Sequence, residues 1–89
     1  MPEIQLEITN EVGLHARPAA LFVQTANKFK CEIMVRNGET IANAKSILDV
    51  LTLGAGKGAV ITVTAEGEDA EQALAALQQL NARNFEEQA

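Results

Sequence analysis

ARPAALFVQTANKFKCEIMVRNGETIA, residues 16 to 42, changes its hydrophobic period halfway along, and that change decides the fold. In the first half, Ala19, Phe22, Val23, Ala26 and Phe29 recur at helical spacing, with Gln24, Asn27 and Lys28 outside the stripe. Pro18 falls in the first turn, where its missing N–H removes no helical hydrogen bond. After Lys30 the period drops to two. Cys31, Ile33 and Val35 alternate with Glu32, Met34 and Arg36, as in a half-buried strand. Asn37-Gly38 is a favoured pair for a two-residue type I′ hairpin turn, so a short strand should return through Thr40 to Ala42.

Upstream, Ile4 to Thr9 alternates apolar and polar residues and predicts another strand. Asn10 to Gly13 reads as a loop. Downstream, Ser46 to Leu53 predicts a short helix that Gly54 is placed to end. AVITVTA, residues 59 to 65, is a β-branched strand, and Glu66-Gly67-Glu68 a turn. Asp69 is positioned to cap a last helix, with Gln72 in capping-box register. Its buried stripe is Ala70, Ala73, Leu74, Leu77 and Leu80, with Asn81 at the margin. The order is β-α-β-β-α-β-α, an α+β arrangement. So few helices should pack on one face of an antiparallel sheet and leave the other to water.

The chain has 89 residues, so one domain over 1–89 is expected. Three Phe and no Trp or Tyr leave the core to aliphatic side chains. A net charge of −5 and a lack of aromatic platforms argue against nucleic acid. One cysteine rules out an internal disulfide and a multi-cysteine metal site. Cys31 lies in an apolar stretch and reads as a buried small hydrophobe rather than a reactive thiol. No apolar run is long enough to span a membrane. MPEIQLEI has neither the basic nor the apolar region of a signal peptide, so the expected location is the cytoplasm.

His15 is the only histidine. If a helix begins at Ala16, His15 stands at its N-cap, where backbone N–H groups lack partners and the helix dipole is positive. Such a terminus suits an anion, a phosphoryl group included. Arg17 lies in the first turn. A cation there opposes the dipole, so structure alone gives no reason for it, whereas a bound phosphate matches its guanidinium fork. A neutral imidazole has the free lone pair that a nucleophile needs. Gly13 lets the loop turn tightly and leaves room for a partner's backbone. The plainer alternative is a solvated cap residue. With no second histidine and no thiolate pair, no metal is expected, and no nucleophile elbow points to a hydrolase.

Ser46-Ile47-Leu48-Asp49 has the spacing of a capping box, so Ser46 has an ordinary structural reading as a cap. The short helix is more apolar than it needs to be. Val50 and Leu53 should fill the core. Ile47, Leu48 and Leu51 share another face, which is either a docking surface or is covered by the last helix.

GLHARPAALFVQTANKF, residues 13 to 29, and NAKSILDVLTLGAGKGAVITVTAEGEDAEQAL, residues 43 to 74, resemble the HPr family of phosphocarrier proteins. That family serves the bacterial phosphoenolpyruvate-dependent sugar phosphotransferase system. The likeness runs nearly end to end, and Gln24 and Lys28 match its Gram-positive style. It implies an open-faced β-sandwich with antiparallel strand order 1-4-2-3 and three helices on one face. It implies a phosphoryl carrier, not a turnover enzyme, that needs no cofactor or metal. His15 would accept a phosphoryl group on Nδ1 from phosphorylated enzyme I and pass it to sugar-specific IIA domains, with Arg17 holding the oxygens. Ser46 would be a regulatory site for HPr kinase/phosphorylase, through which a catabolite-control regulator acts. The short helix with Ile47, Leu48 and Leu51, and the first helix around Gln24 and Lys28, would dock partners onto a monomer. Two departures stand out. Asp49 replaces a glycine of many kinase-regulated members, and Val12 is apolar where others are polar. The rival reading is a related regulator acting mainly in catabolite repression or a nitrogen-linked phosphorelay. Members limited to corepressor work can lack the active histidine, so His15 speaks for carriage.

Overall fold

The computed structural model describes residues 2–9, 13–83 and 85. The expected element order is observed: β1 (Glu3–Glu7), α1 (Ala16–Ala26), β2 (Glu32–Asn37), β3 (Thr40–Asn43), α2 (Ile47–Thr52), β4 (Val60–Glu66) and α3 (Ala70–Ala82). The strands form one antiparallel sheet in the order β1-β4-β2-β3. Register follows the alternation. Ile4, Val63, Val35 and Ala42 form one row across all four strands, buried except for half-buried Ile4. The neighbouring row, Gln5, Thr62, Arg36 and Ile41, faces the opposite way, and three of its four members are exposed. Of the expected loop, Asn10, Glu11 and Val12 lie outside the described residues.

The helices cover the apolar face. α1 buries Pro18, Ala19, Phe22 and Ala26. α3 buries Ala70, Ala73, Leu74, Leu77 and Leu80, and α2 contributes Val50. Phe22, Ile8, Ile33, Ile61 and Leu77 are among the largest side chains that are fully enclosed, each contributing about 1.5–3 kcal/mol. Phe85, beyond α3, is also buried. Its ring lies 6.4 Å from that of Phe22, and its N–H donates to the Leu80 carbonyl at 2.9 Å. α1 ends at Ala26, before the helical stripe read from the sequence does. The Asn27 amide donates to the Val23 and Lys45 carbonyls, and Phe29 is half-buried in the following turn.

Two local readings are corrected. The hairpin loop is Gly38-Glu39 rather than Asn37-Gly38, because Asn37 pairs with Thr40 as the last rung of the ladder. Gly38 takes φ +62° while Glu39 keeps an ordinary negative φ, the pattern of a turn with glycine at its first central position rather than type I′. The Asn37 amide meanwhile donates to the Leu53 carbonyl at 2.8 Å. At α3, Asp69 holds the N-cap position but makes no side-chain cap bond. Its carboxylate instead accepts the N–H groups of Lys30 at 2.8 Å and Cys31 at 2.9 Å. The entry to β2 has taken the oxygens that the capping box would have used.

Candidate functional site

α1 begins where the sequence places it. His15 is its N-cap, in extended conformation at φ −84° and ψ −171°, and its carbonyl accepts the Ala19 N–H at 2.8 Å. The imidazole makes no capping hydrogen bond and is exposed. The first turn of α1 carries no acidic side chain, whereas α2 has Asp49 there and α3 has Glu71. The positive end of α1 is therefore not offset by a carboxylate of its own. Exposed Arg17 adds a second positive element, and Pro18 is buried beneath them.

Beside His15 lies an open cleft of about 230 Å³, lined by Leu14, His15, Leu51, Gly54, Ala55 and Gly56. It joins the histidine to the apolar helix. Gly54 ends α2 at φ +60°, as expected. Leu14, Ala55 and Gly56 were not legible as site residues, although the run Gly54-Ala55-Gly56-Lys57-Gly58 marks backbone built for close approach. Gly13 corrects one expectation. It does turn tightly, at φ +65°, but the backbone it makes room for is this chain's own, at Ala55 and Gly56.

Ser46 caps α2, its hydroxyl oxygen accepting the Asp49 N–H at 3.4 Å. Only half of a capping box forms, because the Asp49 carboxylate accepts the Asn43 N–H at 3.2 Å. Val50 and Leu53 are buried as expected. Ile47, Leu48 and Leu51 are exposed by 37%, 73% and 39%, so α3 does not cover them. Gln24 and Lys28 are exposed but line no part of the histidine cleft. Cys31 is buried, and burial followed by the Asp69 carboxylate pushes its thiol pKa up. Among the described residues no group of three or more His, Cys, Asp or Glu is placed to hold a metal ion. No helix among them is long and apolar enough to cross a membrane.

The family described as PTS HPr component phosphorylation site matches residues 2–83. Phosphocarrier protein HPr of Pseudomonas aeruginosa is 43% identical over 88 residues, which cover 98% of each chain. The HPr-like protein Crh of Halalkalibacterium halodurans is 47% identical over 77 residues, covering 86% of this chain and 92% of that one. Among solved structures, HPr-C-His from Thermoanaerobacter tengcongensis shares the fold with a TM-score of 0.94 at 48% identity, over 100% of both chains. The same strand order, the same helices on one face and a match along nearly the whole sequence lead to one conclusion: this chain belongs to the HPr family of phosphocarrier proteins.

Proposed function

We propose that His15 carries the phosphoryl group, on Nδ1. The observation that supports this most is an exposed imidazole, without a cap bond, at a helix N-terminus that has no carboxylate in its first turn. In the transfer, the N–P bond of a phosphohistidine on enzyme I breaks as a bond forms to Nδ1 of His15. The electron pair of the broken bond stays on the donor nitrogen. Arg17 holds the phosphoryl oxygens with its fork while charge develops on them. The group then leaves in the same manner for a histidine of a sugar-specific IIA domain. The protein works in the cytoplasm, as a monomer, and docks both partners through Ile47, Leu48 and Leu51 of α2, with Gln24 and Lys28 on the exposed side of α1 as a further docking surface.

Incubation with phosphoenolpyruvate and enzyme I, followed by intact mass, tests the acceptor. One phosphate should be gained, lost in mild acid and kept in base, and absent from His15→Ala. Enzyme I-dependent labelling that persists in that variant overturns the assignment.

A second reading is favoured by the Crh relative at 47% identity. In it, the protein acts mainly as a regulator in catabolite repression or a nitrogen-linked phosphorelay. HPr kinase/phosphorylase would modify Ser46, and a catabolite-control regulator would bind the product. Adding phosphate to Ser46 places about two negative charges near Asp49 and the apolar patch. Labelling from ATP and that kinase, lost in Ser46→Ala, together with failure to pass phosphate to any IIA domain, would select this reading.

A further inference from the structure

Two stretches of backbone meet beside His15 more closely than a side chain would allow. Gly13 stands at φ +65°, and a Cβ there would lie 2.6 Å from the Gly56 Cα and press on the Ala55 carbonyl oxygen. One residue on, the Leu14 N–H donates to that same oxygen at 2.8 Å. The residue after Leu14 is His15.

We propose that Gly13 and the Ala55 carbonyl are positioning elements for phosphoryl transfer, registering the imidazole against the loop at 54–58. The proposal rests on His15 as acceptor. The imidazole has no cap bond of its own, so its place is set by the backbone that carries it. The loop is a firm reference. The Gly58 N–H donates to the Ile8 carbonyl at 2.7 Å, the Ile8 N–H to Ala59 at 2.8 Å, and the Ala59 N–H to Gly56 at 3.0 Å. It is thus fastened to the residue that follows β1, and on its other side it holds Leu14. The atoms that would meet a Cβ at position 13 are backbone and cannot swing aside. An alanine there must lift Leu14 and His15 away from the loop and lengthen the Leu14–Ala55 bond. A displacement near 1 Å in a reacting group slows transfer by about a hundredfold.

The test is single-turnover transfer from phosphorylated enzyme I, with rate measured against donor concentration. Gly13→Ala should lower the saturating rate about tenfold or more and leave the half-saturating concentration unchanged, because the apolar face of α2 is untouched. A second variant keeps Gly13 and removes the Leu14 N–H donor, by replacing Leu14 with its α-hydroxy acid through chemical ligation. It should transfer about two- to tenfold more slowly at saturation. If Gly13→Ala does not fold, the ester variant decides. A folded ester variant with parental rates overturns the proposal, as does a folded Gly13→Ala that raises only the half-saturating concentration. His15→Ala, run alongside, separates the two ideas. Label surviving there overturns the acceptor. Label lost there, with parental rates in the ester variant, overturns only the positioning role.

Discussion

Arg17 occupies a place where a helix gains nothing from a cation, and its value depends on what it faces. Lysine keeps the charge and loses the planar fork. Arg17→Lys should therefore leave the fold intact and slow single-turnover transfer. One bidentate contact is worth about 1.5–3 kcal/mol, or about tenfold to a hundredfold in rate when felt in the transition state. Equal rates would show that Arg17 does not hold the phosphoryl oxygens in the transition state. The places of His15 and Arg17 at the start of α1 were legible, because Pro18 and the helical stripe mark where that helix begins, whereas the phosphoryl roles proposed for them came from the resemblance as much as from the chemistry. Leu14 and Ala55 were not legible. Their part depends on a contact between segments far apart in sequence, and an ordinary leucine and alanine show nothing of it.

The elements themselves were read well, and their failures share a cause. Alternation identified which strand residues turn inward, but it could not tell which of Asn37, Gly38 and Glu39 closes the hairpin ladder. Capping-box spacing at Asp69 is a local signal, and Lys30 and Cys31 outbid it from across the fold. That choice has a pH signature. The Lys30 N–H, with Cys31 adding to it, holds the Asp69 carboxyl below its ordinary 3.8, against a smaller opposing effect of desolvation. A depressed carboxyl stabilises the fold above the ordinary value, and the contribution is lost as pH falls through the lower folded value. Asp69→Asn should therefore melt lower than the parent at neutral pH, and the gap should close as pH drops below about 4. Thermal melts of both proteins across that range check it. For α2, exposure separates neighbours. Leu48→Asp should shift stability by less than about 0.5 kcal/mol yet weaken enzyme I binding in a titration. Val50→Asp places a charge in the core and should cost several kcal/mol, on the order of the whole fold's margin.

At the scale of the molecule, the first strand and Phe85 meet the core in different ways. β1 is an edge strand, while Phe85 plugs the core against Phe22 despite a backbone φ of +58°. Phe85→Ala should lower unfolding free energy by about 3 kcal/mol in denaturant titration, because alanine removes the buried ring and keeps the unfavourable φ. No periodicity marked Phe85, since it stands beyond the last helical stripe. The strand order came from family resemblance, because alternation assigns faces and not neighbours. That order has a consequence in time. β4 lies between β1 and β2, yet it is the sixth of seven elements along the chain. A ribosome adding about 5–20 residues per second exposes β1 and the β2–β3 hairpin well before the strand that joins them has been made. Nascent chains stalled before Val60 should stay open to protease, and protection should arrive abruptly once β4 and α3 emerge, so that this small carrier takes its shape only after its sixth element has been made.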